Sequence, residues 1–172
     1  MAEPLSSSGR SAGPAVDGPD DLVLPFSTDK SGIRGRLARM GGVVDTILSR
    51  HTYPDAVSEA LGQALALTAM LGQPLQPGGR LGIQTRTDGP IRFLLADYEA
   101  PGRLRGYASF DADRIAAMGA RPKQGDLIGS GHMAMTLERL GEEDRYQGIV
   151  ALDGQSLSAA ALTYFRQSEQ LP

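Results

Sequence analysis

Apolar and polar positions along this chain first alternate, then cycle with a helical period, then alternate again. Leu22, Leu24 and Phe26 recur at every second residue, which predicts a strand. Thr28-Asp29-Lys30-Ser31-Gly32 has the composition of a turn. Beyond it Ile33, Gly35 and Leu37 alternate with Arg34 and Arg36, predicting a hairpin partner with one basic face. After the Gly41-Gly42 break, Val43, Val44, Ile47 and Leu48 fall on one stripe of a short helix.

A longer helix starts at Pro54, which suits a first helical position because its missing N–H costs nothing there. Helix formers run to Leu71, and Gly72 with Pro74 supplies the stop. From Ala64 to Leu71 apolar side chains point in every direction, which predicts burial on several sides. Burying Val57, Leu61, Leu65, Leu67, Met70 and Leu71 contributes on the order of 10 kcal/mol before entropy is subtracted. This helix is therefore expected at the centre of the fold.

The period then drops to two. Strands are predicted at 81–86, 91–98, 103–110, 131–140 and 145–152, with turns at Thr87-Asp88-Gly89-Pro90 and Glu99-Ala100-Pro101-Gly102. Glu142-Glu143-Asp144 reads as a solvated turn. A short helical or irregular stretch at 113–119 leads to the loop Arg121-Pro122-Lys123, and an amphipathic helix closes the pattern at 156–169. Ile91 to Ala96 is apolar on both faces, so cover is expected on both sides. One cover is the central helix; the other is a second layer, a partner chain or a segment outside this chain. A weak repeat at constant offset aligns Phe93, Leu95 and Gly106 with Met135, Leu137 and Gly148, and duplication and chance account for it equally well.

The pattern predicts an α+β fold, with layered sheets of mostly antiparallel strands packed around a buried central helix. Residues 1–20 are rich in Ser, Gly, Pro and Ala and bury too little to offset ordering entropy, so a disordered tail is expected before a single domain at 21–172.

Composition removes several function classes. A formal charge of −3 and a pI near 5.4 offer no net basic excess for nucleic acid. The chain has no cysteine, hence no disulfide, thiolate zinc site or cysteine nucleophile. No apolar run reaches the roughly 18 to 20 residues of a membrane span, and no signal peptide is evident, so the expected location is the cytoplasm.

Catalytic motifs fare no better. Gly9-Arg10-Ser11-Ala12-Gly13 matches G-x-S-x-G but lacks the flanking strand and helix of a nucleophile elbow. Ser130 and His132 have no evident third orienting group, and His51 and His132 lack metal-type spacing. Asp111-Ala112-Asp113 reads as a helix start better than as part of a calcium loop. Arg34, Arg36 and Arg39 read as an exposed strand face. An enzyme using His51, Arg50 and Asp55 requires a pocket with a perturbed titratable group. No catalytic residue is assigned, and no metal or cofactor is expected in this chain.

Several stretches in order carry a resemblance. They are Ser31-Gly32-Ile33-Arg34-Gly35-Arg36, Leu48-Ser49-Arg50-His51-Thr52-Tyr53-Pro54, Leu61 to Ala69, Asp88-Gly89-Pro90-Ile91-Arg92, Ala96-Asp97-Tyr98, Leu104 to Ala108, and Tyr164-Phe165-Arg166-Gln167-Ser168-Glu169-Gln170-Leu171-Pro172. From about residue 21 to the end the chain resembles the core domain of the heat shock protein 33 family of redox-regulated holdase chaperones. That resemblance implies an α+β core, often dimeric, followed by a linker and a zinc domain with CxC and CxxC motifs. This chain ends before any such cysteine. The implied partners are unfolded or partly unfolded client proteins and a second copy, with zinc only in the missing C-terminal domain. It implies that oxidation releases zinc and uncovers apolar surface on the core, which holds clients without ATP under oxidative stress. The candidate client-binding residues are Leu94, Ala96, Tyr98, Met133 and Met135; Met suits promiscuous contact. The alternatives are that all five are ordinary core, or that this is a dimerisation domain inert without its C-terminal half.

Overall fold

The structure, a computed structural model, describes residues 20–141 and 145–168. Residues 1–19 of the tail expected at 1–20, the Gly9–Gly13 motif, the Glu142–Asp144 turn and the end of the final motif lie outside the described residues. The elements run β1 (Leu22–Ser27), β2 (Arg34–Arg39), α1 (Gly42–Leu48), α2 (Asp55–Gly72), β3 (Arg80–Thr87), β4 (Ile91–Glu99), β5 (Arg103–Phe110), α3 (Ala112–Ala117), α4 (Gln124–Ile128), β6 (Ser130–Glu138), β7 (Tyr146–Asp153) and α5 (Leu157–Ser168). Strands β1 and β2 form a two-stranded ribbon, and the other five form one sheet in the order β5-β4-β3-β6-β7. Every pairing is antiparallel. This is the expected α+β class, with α2 buried against the larger sheet.

Strand alternation sends one set of side chains to an inner face under α2 and α5. Cross-strand pairing puts Thr85, Leu94, Ala108, Met133 and Val150 in one row, and Ile83, Ala96, Gly106, Met135 and Gly148 in the next. Helix α2 meets these rows with Val57, Ala60, Leu61, Ala64, Leu65, Thr68, Ala69 and Gly72, a single stripe in which small residues separate the leucines. Leu67, Met70 and Leu71 are only partly buried, because the sheet takes one stripe and the rest is covered loosely. Burial on several sides, expected for 64–71, is what the structure has: none of these residues is exposed, and β2, α1 and α5 also pack against the helix.

Three glycines set how closely helix and sheet approach. A Cβ at Gly106 falls 2.9 Å from Leu65 Cδ2 and 3.1 Å from Leu61 Cδ1. A Cβ at Gly72 collides with the Tyr98 ring, and one at Gly148 collides with the Tyr164 ring of α5. Gly106 and Gly148 therefore share the repeat offset and a role. The aligned positions of β4 and β6 do not: Phe93 and Leu95 lie on the outer face, whereas Met135 and Leu137 lie on the inner one. The repeat thus has a structural counterpart in β5 and β7, where the aligned Tyr107 and Ile149 also share the outer face, but none in β4 and β6.

Helix starts are held by distant partners. Asp21 accepts the N–H groups of Gly41 and Val43, both at 2.9 Å, and so caps α1 from before β1. Pro54 occupies the N-cap of α2, one residue earlier than expected. Helix α4, absent from the sequence reading, is tied in by Gln124: its Nε2 donates to Gln63 Oε1 at 2.7 Å, and its Oε1 accepts from Leu157 N at 3.0 Å.

Leu65→Ala is expected to lower the unfolding free energy by about 3 kcal/mol, a value typical of a buried leucine. Leu37→Ala, on the exposed ribbon, should cost no more than about 0.5 kcal/mol. Urea titrations of both variants test this, and equal losses would remove α2 from the centre of the fold.

Candidate functional site

All five residues singled out in the sequence lie on the inner face. Leu94, Ala96 and Met133 have no exposed surface, Met135 keeps 4% and Tyr98 keeps 6%. The physical reason is parity: Leu94, Ala96 and Tyr98 share the phase of β4 that faces α2, and pairing through β3 carries Met133 and Met135 to the same side. They are core side chains here, and a partner reaches them only if a helix leaves. Burial pushes the Tyr98 phenol up, and its hydroxyl donates to the Pro101 carbonyl at 3.0 Å.

The accessible apolar side chains belong to the opposite phase. On the outer face, register assembles Tyr107, Leu95, Gln84, Ala134 and Ile149 into one row crossing all five strands. Phe93 and Leu95 are half-buried, while Tyr107 is 42% and Ile149 63% exposed. The strand that is apolar on both faces thus has α2 on one side and open surface on the other. Phe93 continues into a string of rings: Arg86 sits 5.5 Å from the Phe93 centroid, and Phe93 lies 6.4 Å from Tyr107. His51 follows at 5.5 Å from Tyr107, then Tyr53 at 5.3 Å from His51. Tyr53 Oη also accepts the N–H of Ala108 at 3.1 Å, covering a donor on the β5 edge.

Towards the other end of the strands the same face becomes charged. Arg103, Glu99, Arg80 and Glu138 follow one another across the sheet, and Arg145 reaches Glu138. Arg80 meets Glu99 at 2.8 Å, Arg103 meets Glu99 at 3.4 Å, and Arg105 meets Asp97 at 2.5 Å. Gly82 contributes no side chain here, leaving a depression of about 300 Å³ bordered by Asp97, Arg105, Thr136 and Glu138.

The ribbon carries the second accessible apolar surface. Leu24 pairs with Leu37, and Phe26 with Gly35, so these side chains share one face. Leu24 is 51%, Phe26 50% and Leu37 60% exposed. The Phe26 ring lies over Gly35 so closely that a Cβ there would collide with it. Arg34 and Arg36 occupy the other ribbon face and are exposed, as expected.

The remaining candidates do not converge. His132 is exposed, and Ser130 Oγ lies 3.5 Å from Asp153 Oδ1 rather than against an imidazole. His51 is held among rings, whereas Asp55 lines a separate groove of about 530 Å³ with Glu59, Gln63, Arg121 and Gln124. Among the described residues no three His, Cys, Asp or Glu side chains come together as a metal site, and no helix is long and apolar enough to cross a membrane. Asp111 is the N-cap of α3, as its sequence position predicted. Its Oδ1 accepts from Arg114 N at 3.2 Å and its Oδ2 meets Arg92 at 2.7 Å. The backbone bond from Arg114, then the hydrogen bond and charge of Arg92, hold this carboxyl below its ordinary range.

The family model described as Hsp33 protein matches residues 21–172. The 33 kDa chaperonin of Caulobacter vibrioides is 42% identical over 156 residues, covering 89% of this chain and 52% of the relative. That of Shewanella sediminis is 40% identical over 152 residues, covering 88% and 51%. A crystal structure of the 33 kDa chaperonin from Thermotoga maritima superposes with a TM-score of 0.71 at 22% identity, covering 86% of this chain and 51% of that one, and shows the shared fold. The chain spans about half the length of the relatives it matches.

Because the folded pKa of Asp111 is depressed, its charge stabilises the native state above the ordinary carboxylate pKa, and this is lost as pH falls through the lower folded value. Thermal melts should therefore place Asp111→Asn below wild type at neutral pH, with the gap closing under acid. A gap that persists in acid would mean the cap acts through geometry alone. Tyr53→Phe should cost about 1 kcal/mol and speed hydrogen exchange at the Ala108 amide; unchanged exchange would remove the edge-covering role.

Proposed function

This chain belongs to the Hsp33 protein family, and we propose that it is the client-holding core of a redox-regulated, ATP-independent holdase chaperone. The observation that carries the proposal is the amount of apolar side chain left uncovered on two regular surfaces. These are Leu24, Phe26 and Leu37 on the ribbon, and Leu95, Tyr107 and Ile149 on the outer sheet face. Isolated exposed apolar residues need no explanation, but a row in register across a sheet, interrupted only by Gln84, gathers them on one surface. Covering about 1,000 Å² of apolar area contributes roughly 25 kcal/mol before ordering and association costs. Such contact needs no nucleotide, and it discriminates by exposed apolar area rather than by sequence.

The inner-face residues Leu94, Ala96, Tyr98, Met133 and Met135 are left to the core in this reading, since uncovering them requires lifting α2. Redox control belongs to the part of the family's length that this chain does not span, because the chain itself has no cysteine. There zinc held by thiolates would be released on oxidation, and a segment covering the core would come away. Cytoplasmic location and pairing with a second copy belong to the same proposal. A second reading buries the same apolar surfaces permanently between two copies and leaves the isolated core inert.

Light scattering of a guanidinium-unfolded client diluted into buffer with this chain, without ATP, tests the proposal. Suppression near stoichiometric ratios is expected. The double variants Phe26→Ser with Leu37→Ser, and Leu95→Ser with Tyr107→Ser, should each weaken it several-fold while keeping the wild-type circular dichroism. Leu162→Ser, exposed on α5, should leave it unchanged. A folded, dimeric wild type that gives no suppression supports the second reading. Full suppression by both double variants moves the client surface elsewhere.

A further inference from the structure

The two edges of the five-stranded sheet are finished differently. In an antiparallel ladder, alternate residues bond to one neighbour and then to the other. The Gly154 N–H donates to the Gly129 carbonyl at 3.0 Å, continuing the β6–β7 ladder by one pair. That bond sets the phase: Gly148, Val150 and Leu152 bond inward to β6, while Gln147, Ile149 and Ala151 turn their N–H and C=O groups out of the sheet. Gln155 Nε2 donates to the Ala151 carbonyl at 3.2 Å, consistent with that carbonyl lying outside. Among the described residues nothing bonds to the outward backbone groups of Gln147 and Ile149. On the opposite edge, the outward N–H of Ala108 is taken by Tyr53, and α1 packs against β5.

Strand edges left open invite pairing, and proteins ordinarily blunt them with charge, proline or cover. From Tyr146 to Leu152 this edge has neither charge nor proline, and Ile149 stands 63% exposed at its middle. Ile149 is also the end of the outer-face row that begins at Tyr107. Backbone complementarity and the apolar row thus meet at one place.

We propose that the outer edge of β7 is a strand-addition site. It takes an extended segment of a non-native polypeptide as a sixth strand, paired through Gln147 and Ile149, with an apolar side chain of the segment continuing the Tyr107-to-Ile149 row. The occupant follows from the chemistry: main-chain hydrogen bonds are common to every sequence, and folded proteins have their own strands already paired, so a free strand marks a non-native chain. The proposal rests on the holdase reading and names how that surface selects its partner.

The test uses the full chain and a labelled synthetic peptide of alternating valine and threonine flanked by lysines. A copy of the peptide with alternate backbone nitrogens methylated serves as control, and hydrogen exchange is read at each amide. Peptide binding should slow exchange at Gln147 and Ile149 but not at Leu104 or Gly106. The methylated copy, with the same side chains, should bind at least about tenfold more weakly, the equivalent of one or two lost hydrogen bonds. Ile149→Pro, tolerated on an edge where it removes only an outward N–H, should weaken binding to a similar extent, and Ile149→Thr should weaken it less. Equal binding of the two peptides overturns strand addition even if the proline variant fails to fold. Protection of Gln147 and Ile149 without peptide, rising with protein concentration alongside a doubled mass, assigns the edge to a second copy and overturns the client assignment. Failure of the unmethylated peptide to bind overturns the edge site alone if the chain still suppresses aggregation, and the holdase reading as well if it does not.

Discussion

The seating of α2 on the inner face of the five-stranded sheet is the constraint on which the rest depends. Leu61 and Leu65 descend onto Gly106, where a β-carbon would already crowd both side chains, and Ala60, Ala64 and Ala69 bring the helix axis down beside them. A residue larger than glycine at 106 would lift the helix and open space over Leu94 and Ala96. Because strand side chains alternate strictly, fixing one face fixes the other: a one-residue slip of β4 would exchange Leu94 and Ala96 for Phe93 and Leu95. The core and the open apolar row are therefore two consequences of a single register.

That dependence explains what could be read from the chain. Helix α2 and the seven strands have long, regular periods, and their bounds fell within a residue or two of those expected. Helix α4 did not, because five residues are too few to show a period and its first residues are Gln124 and Gly125, neither a helix signal. Gly125 stands there for a tertiary reason, since a β-carbon would collide with the Gly154 carbonyl. The Asp21 cap on α1 was equally hidden, because its acceptor lies some twenty residues before the donors.

The sequence leaves the accessibility of the candidate site open for a more general reason. Ile91 to Ala96 is apolar in both phases, so the pattern identifies a strand with two apolar faces but not which phase the helix takes. Met133 and Met135 suit either adaptable surface or ordinary core by residue type, and the fold buries both. Ile149 could be placed on the open face only after β7 was known to pair with β6 at an edge. Residue type marked the apolar positions; topology decided which of them a partner can touch.

The outer face also shows how a domain can keep apolar surface without offering all of it. Its exposed ion pairs between Arg80, Arg103 and Glu99, and between Arg105 and Asp97, add little to stability, since such pairs contribute about 0–1 kcal/mol each. Their effect on docking is larger. An apolar partner laid over them would strip water from charges at a cost of several kcal/mol per ion, whereas the row from Tyr107 to Ile149 carries no charge to desolvate. The charged end of the sheet therefore turns apolar partners toward the Tyr107-to-Ile149 row, whose Ile149 end reaches the β7 edge. A pattern of weak surface pairs thus sets orientation on a surface whose attraction is otherwise non-directional.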